Sequence, residues 1–184
     1  MATISRLITY EEWLQMPVVQ DGVDEVVRGE YRPMPPPRYA HAETLRRLNR
    51  LFDRQADEAK VAIYDSNFGL LISQDPLVCR SPDLAVYWRE DLKIRDGLFC
   101  SAPALIVEVL CPSETRSRKR EKIEDYAALR VPEVWIVSPE AETVEVRQLR
   151  EGRLERVAIV ADGNLEPIRF PGVSIPVSAL WPEL

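Results

Sequence analysis

One carboxylate, that of Glu108, stands inside an otherwise apolar run of strand length, residues 106–110 (IVEVL). A continuous apolar strand is typical of a sheet that is covered on both faces. Burying a carboxylate in such a strand is costly unless the group is protonated, paired with a cation or bound to a metal ion. The chain must therefore fold so that Glu108 is protonated or is reached by a cation, and this requirement constrains the fold more than any other feature of the sequence.

Other segments predict the elements around this strand. Apolar runs of strand length predict strands, and alternating segments that turn at Arg28-Gly29 and Glu151-Gly152 predict two hairpins. Apolar residues at helical spacing predict helices, and a capping box from Thr9 to Glu12 predicts the start of the first one. The predicted strands are 61–64, 68–72, 84–88, 105–110 and 134–137, the hairpins 24–34 and 143–160, and the helices 9–16, 39–59 and 116–129. This order predicts one mixed α/β domain over residues 1–184, in which helices flank a mixed sheet, with a helix and hairpin at its N-terminal end and a hairpin at its C-terminal end.

Composition excludes several classes of function. No apolar run approaches the roughly 18 to 20 residues of a membrane helix, and the first residues lack the pattern of a signal peptide, so we expect no membrane association. Three cysteines without C-x-x-C spacing and a single histidine argue against a disulfide framework or a zinc cluster and favour a reducing cytoplasm. The net charge of −6 means that any binding of nucleic acid must depend on a local basic patch or on acids gathered around a metal ion.

Two acids and a lysine are the candidates for chemistry. Asp83 precedes the strand 84–88, Glu108 lies in the next apolar run, and Lys122 falls in the first turns of the following helix. Two carboxylates from adjacent strands suit a hard cation such as Mg²⁺, and a nearby lysine orients an attacking water or balances charge on a phosphate. The alternatives are that Asp83 is a turn residue after Pro82 and that Glu108 forms a buried ion pair with Lys122 or an arginine.

Two groups of cations are candidates for phosphate contacts. Arg46, Arg50 and Arg54 recur at four-residue spacing on the helix 39–59, which is consistent with either a solvated helix face or phosphate steering. The second group stands at the start of the helix 116–129, where we expect the side chains to attract a phosphate backbone. It consists of Arg116, Arg118, Lys119 and Arg120.

Taken in order, these segments resemble the Uma2-like (DUF820) proteins, a bacterial group placed among the PD-(D/E)xK restriction-endonuclease-like nucleases. The resemblance covers nearly the whole chain, including LQMP at 14–17, EVVRGE at 25–30 and SPDL at 81–84. Its most specific stretch is 103–139, which contains PALIVEVLCPS, the pair Glu121-Lys122 followed by Tyr126, and VPEVWIV.

The resemblance implies a restriction-endonuclease-like fold and a site that uses Mg²⁺ or Mn²⁺. Asp83 and Glu108 match the two metal-ligating acids, and the main-chain carbonyl of Val109 is the expected third ligand. Lys122 matches the catalytic lysine, which in the parent motif stands two residues after the second acid, where this chain has Leu110.

Three further residues match family positions. Glu25 matches an acid that borders the site and is a catalytic candidate, although a surface strand residue would fit its position equally well. We expect His41 to form a hydrogen bond at the start of a helix and Tyr126 to contribute packing. Arg118 replaces an acid that is common in the family, which makes the mouth of the site more basic.

We therefore expect a cytoplasmic, metal-dependent endonuclease that hydrolyses phosphodiester bonds of DNA as a homodimer, with the apolar segments 68–72 and 180–182 available for the interface. Two alternatives remain open. The missing lysine at Leu110 favours a catalytically inactive nuclease-fold protein that acts as a binding or assembly module. A hydrolase of another phosphoester would use the same site.

Overall fold

The computed structural model describes residues 6–17, 23–34, 36–66, 68–111 and 115–182; Pro112 and Ser113 of the family motif lie outside them. Its α-helices are α1 (Tyr10–Gln15), α2 (Tyr39–Asp53) and α3 (Arg116–Ala128). The predicted capping box of α1 is present, with the Thr9 side chain and the Glu12 side chain each accepting from the other residue's N–H. None of the described helices is long and apolar enough to cross a membrane.

Helix α2 ends six residues earlier than the apolar spacing predicts, at Asp53 rather than residue 59. The reason is a turn at Asp57, whose carbonyl accepts from the N–H groups of Lys60 and Val61 and whose side chain accepts from the Ala59 N–H. A short polar side chain that bonds to nearby backbone favours such turns over helix.

The main sheet contains the predicted strand with Glu108 near its centre. Its order is β12 (Arg153–Val160), β11 (Thr143–Arg150), β10 (Glu133–Ser138), β9 (Leu105–Val109), β6 (Leu84–Trp88) and β3 (Val61–Asp65). Neighbouring strands are antiparallel except β9 and β10, which are parallel and are connected through α3. A parallel pair needs such a crossover, and the crossover places α3 over one face of the sheet.

The two long helices cover opposite faces of this sheet. Leu45, Leu48 and Phe52 of α2 share one apolar cluster with Val107 and its neighbours. Ile123 and Tyr126 of α3 share another with Ile106 and Ile136. The predicted mixed α/β arrangement of a helix-flanked sheet is confirmed.

A second six-stranded sheet, which the apolar pattern does not predict as a separate layer, lies beside the first. Its order is β2 (Glu30–Met34), β1 (Val23–Val27), β5 (Leu77–Arg80), β4 (Leu70–Gln74), β8 (Leu98–Phe99) and β7 (Ile94–Arg95). The predicted hairpin of β1 and β2 is confirmed, and its strand β1 pairs with β5. The sequence pattern does not predict β5, because this strand is short and ends in a polar residue. A small pair, β13 (Asn164–Leu165) and β14 (Ile175–Pro176), completes the described strands.

The apolar segments proposed for a dimer interface belong largely to the core. Leu70 and Leu180 are fully buried and Leu71 nearly so, and Phe68 packs against the Tyr64 and Phe99 rings. The expectation of a homodimer therefore rests on the family resemblance and not on these segments.

A buried ion network joins the second sheet to α3. Arg80 at the end of β5 is only 2% exposed; its Nη1 lies 2.8 Å from Glu25 Oε2 and its Nη2 lies 2.6 Å from Asp125 Oδ2. On the solvent side, Arg28 and Arg32 of the hairpin both pair with Glu121, one turn before Asp125 on α3. The network fixes the position of α3 relative to both sheets.

Replacing Arg80 tests this network. Arg80→Met keeps an unbranched chain but leaves the carboxylates of Glu25 and Asp125 buried without their guanidinium, so we expect the free energy of unfolding to fall by about 3–5 kcal/mol. Urea denaturation measures the change. The matched control is Arg54→Met at the exposed end of α2, which should stay within about 0.5 kcal/mol of the wild type. Equal urea midpoints for the two variants would contradict the structural role of Arg80.

Candidate active site

The candidate residues meet at the carboxyl end of β9. Because β6 runs antiparallel to β9 with Leu84 opposite Val107, the residue before β6 reaches the edge at which β9 ends. That residue is Asp83, and its Oδ2 accepts a hydrogen bond from the Val109 N–H at 2.7 Å. Asp83 thus lies beside the Val109 backbone, and its side chain is tied to β9.

Glu108 has the positive partner that its position demands. Its side chain is 5% exposed, Oε2 accepts from Lys122 Nζ at 2.7 Å, and Oε1 accepts from the Tyr126 hydroxyl. The pKa of Glu108 is raised to about 7: burial is the largest cause and the charge of Asp83 adds to it, while Lys122 and the Tyr126 hydroxyl oppose the rise. The buried ion pair with Lys122 is therefore present, and it lies next to a second carboxylate.

His41 links α2 to this edge of the sheet. Its Nε2 lies 3.3 Å from Asp83 Oδ1, and its Nδ1 lies 3.2 Å from the Sγ of Cys111, which follows β9. Burial alone would lower the pKa of His41, but the hydrogen bond and charge of Asp83 raise it overall. The imidazole of His41 therefore contacts an acid of the candidate site. The position of His41 near the start of a helix does not predict this contact.

Glu25 is buried, which overturns the alternative of a surface strand residue. Its side chain is 2% exposed, Oε1 accepts from the Ser81 N–H at 3.3 Å, and Oε2 pairs with Arg80. Lys122 Nζ lies 3.9 Å from Oε1, so Glu25 borders the lysine. A catalytic role for Glu25 stays a prediction.

The basic residues predicted to contact DNA occupy the first turns of α3. Arg116, Arg118 and Arg120 are exposed. Lys119 is half-buried with its Nζ 2.8 Å from Glu145 Oε2, and Arg120 lies 3.6 Å from Glu124. Part of their positive charge is therefore already paired within the chain, and their contact with DNA stays a prediction.

Sequence reasoning missed several residues that position the site. Arg80 looked like the polar end of a short apolar run, and Asp125 like an ordinary helix residue. Tyr126, for which packing was the favoured expectation, also donates to Glu108. Its position one helical turn after Lys122 allowed a role beside the lysine, since that spacing places both side chains on one helix face, but gave no sign of the contact with Glu108.

The donor set fits a hard divalent cation. Within the described ranges, no group of three or more His, Cys, Asp or Glu side chains is arranged to hold a metal ion. Mg²⁺, however, often takes only one or two carboxylates and keeps several waters. Asp83 and Glu108 supply two carboxylates close enough for the charge of Asp83 to raise the pKa of Glu108, and a cation would relieve that repulsion.

Comparisons with known proteins agree with this architecture. The model of the Uma2 family, described as "Putative restriction endonuclease", matches residues 10–178. The chain is also similar to the crystal structure of "a putative nuclease belonging to DUF820" from Anabaena variabilis ATCC 29413, with 16% sequence identity and a TM-score of 0.77 over 95% of this chain and 97% of that chain. At this identity the likeness shows the fold, and the expected nuclease-like fold is confirmed. No curated protein matches.

Two substitutions should move the pKa of Glu108 in opposite directions. Asp83→Asn removes a neighbouring negative charge and should lower it, whereas Tyr126→Phe removes a hydrogen bond to the carboxylate and should raise it. Carbon-13 NMR titration of the side-chain carboxyl measures both shifts in the metal-free protein. The buried carboxyl of Glu133, bonded to Trp135 and Ile168, serves as the internal control and should not move. Shifts of the same sign in both variants would contradict this arrangement.

Proposed function

Since the chain belongs to the Uma2 family, we propose that it is a divalent-metal-dependent nuclease that hydrolyses phosphodiester bonds of DNA. The observation that carries the proposal is the convergence of Asp83, Glu108 and Lys122 at one edge of the main sheet. Two acids can hold a metal ion that activates water and polarises a phosphate, and a lysine beside them can balance the charge that develops on the phosphate.

Asp83 and Glu108 would hold Mg²⁺ or Mn²⁺, with the main-chain carbonyl of Val109 as the third ligand from the protein. When bound, the cation lowers the pKa of a coordinated water and polarises the scissile phosphate. The surrounding residues keep the two acids in place: the Val109 N–H and His41 contact Asp83, and Tyr126 donates to Glu108. Such outer contacts orient ligands and tune their affinity.

Lys122 supplies the positive charge beside the reacting phosphate. Its side chain is 9% exposed, and its ammonium is held between Glu108 and Glu25, which limits the directions in which it can point. A fixed cation of this kind orients the attacking water or balances the negative charge that develops on the phosphate. Glu25 contributes by holding Lys122, in keeping with its place at the border of the site.

The substrate we propose is DNA, attracted by Arg116, Arg118, Lys119 and Arg120 at the start of α3. Local cations of this kind steer a polyanion toward a site even when the whole protein is acidic. A reducing compartment such as the cytoplasm is part of the proposal, because the cysteines of the chain are odd in number and lack C-x-x-C spacing. We also propose a homodimer, by analogy with related nucleases.

One set of observations favours a second candidate, a catalytically inactive nuclease-fold module for binding or assembly. Both oxygens of Glu108 already accept hydrogen bonds from the chain. Leu110 also occupies the position of the parent motif's lysine. Fold alone does not decide between the two functions.

Metal binding and DNA cleavage, measured on the same samples, separate these candidates. Calorimetric titration should show that the wild type binds Mn²⁺ and that Asp83→Asn and Glu108→Gln do not, because each loses a charged ligand. Nicking of supercoiled plasmid should follow the same pattern. Asp91→Asn, at an exposed acid after β6, is the matched control and should behave as the wild type. Binding of Mn²⁺ without nicking would favour the inactive module, and a wild type that binds no metal would overturn the proposed site.

Lys122 should be required for cleavage and not for metal binding. Lys122→Met removes the ammonium but leaves both carboxylates, so we expect Mn²⁺ binding to persist while the rate of plasmid nicking falls by about 10²-fold or more. Lys60→Met, at an exposed lysine paired with Asp57, is the control and should leave the rate unchanged. Nicking by Lys122→Met at the wild-type rate would remove Lys122 from the mechanism.

A further inference from the structure

A groove of about 440 Å³ runs along the outer side of α2. Its lining residues on α2 recur every three or four positions from His41 to Asp53, and Asp65 at the end of β3 forms part of the opposite wall. From His41 to Asp53 the helix rises over about 18 Å, which is several phosphate spacings of one DNA strand. We refer to this feature as the α2 groove.

One end of the α2 groove lies next to the candidate active site. His41 lines the groove, and the same imidazole lies 3.3 Å from the Asp83 carboxylate. A molecule lying in the groove would therefore have one end near the acids that we propose hold the metal ion. A polymeric substrate that is cut in its middle needs such a path leading away from the cleavage site.

Two arginines on the groove carry exposed positive charge. Arg46 and Arg50 stand one helical turn apart and both are exposed. Arg46 is oriented by two hydrogen bonds of 2.7 Å to Glu43, which leave part of its guanidinium edge open. The Arg50 side chain makes no ion pair or hydrogen bond with any residue in the described part of the chain. An unpaired guanidinium beside a cleavage site suits a phosphate, which it can bind through two parallel hydrogen bonds.

Polar groups where α2 faces β3 suit bases rather than phosphates. Asn49 Nδ2 donates to Asp65 Oδ2 at 2.9 Å, and Asp53 also lines the groove. Carboxylates repel phosphates, but they accept hydrogen bonds from the amino groups of bases, and amides bond to base edges as well. The groove thus offers both cations for a phosphate backbone and groups that can bind bases.

We propose that the α2 groove binds the substrate strand next to the scissile phosphodiester, with Arg50 and Arg46 on its phosphates and the Asn49–Asp65 pair facing its bases. The inference rests on the proposed nuclease function. It assigns to α2 contacts with the strand on the sheet face opposite to the basic start of α3. The competing interpretation is that the arginines of α2 form a merely solvated face.

Charge reversal on α2 tests the proposal. Arg50→Glu should weaken the binding of a short fluorescein-labelled DNA strand by at least about tenfold, as measured by anisotropy in Ca²⁺, a hard cation that carboxylates also bind. Arg50→Ala should reduce the slope of log affinity against log salt by about one, since one phosphate contact is lost. The matched control is Arg54→Glu, four residues after Arg50 and directly after the end of α2, exposed and outside the groove lining; its affinity should stay within about threefold of the wild type. Circular dichroism checks that every variant is folded.

The outcomes distinguish this inference from the function on which it rests. Equal affinities for Arg50→Glu and the wild type would overturn the groove, even if plasmid nicking still depended on Asp83. Equal weakening by Arg50→Glu and Arg54→Glu would also overturn it, because the effect would then come from the charge of the whole helix face. A wild type that neither binds nor nicks DNA would overturn the proposed function and the inference together.

Discussion

The ion pair between Glu108 and Lys122 is the interaction around which the rest of the structure is arranged. A carboxylate in the middle of a covered sheet needs a cation, and the chain supplies it from α3, the crossover that connects β9 to its parallel neighbour. Lys122 and Tyr126 stand one turn apart, so both reach Glu108 only if that face of α3 lies on the sheet. The pair therefore fixes the rotation of α3 as well as its position.

The second sheet holds α3 from the other side and completes this arrangement. Arg80 binds Asp125, which is adjacent to Tyr126 in sequence, and also binds Glu25, which lies 3.9 Å from the Lys122 ammonium. Charges of alternating sign thus continue from the second sheet to Glu108. A buried network is costly when one member is missing, because each remaining charge loses its partner. In this chain the buried charges lie beside the candidate active site. Proteins usually carry such destabilising features at their functional sites.

Much of this arrangement could be predicted from sequence because it is encoded locally. The run 84–88 became β6 without change of boundary, since five consecutive apolar residues leave little alternative in a covered sheet. Asp83, Glu108 and Lys122 were singled out as candidate site residues because each occupies an unusual place in a strong local pattern. The family resemblance then matched each of them to a position of the family motif. The role of Arg80 could not be predicted, because it depends on Asp125, 45 residues away, and on a strand of only four residues. The contact of His41 with Asp83 was missed for the same reason, since it depends on how α2 packs against the sheet.

The distribution of charge explains how an acidic chain can be compatible with a polyanionic substrate. The chain carries a net charge of −6, yet several of its acids are held in ion pairs near the site, among them Glu25, Glu108 and Asp125. Among the cations that remain exposed, those of α2 and those at the start of α3 stand on opposite faces of the main sheet. Under the proposed function, a phosphate backbone that crosses the carboxyl end of β9 meets these cations on both sides. Screening acts over about 8–10 Å at physiological salt, so the rest of the acidic surface repels DNA only at close range. Local placement of charge, rather than the net charge of the chain, then determines where a strand would bind.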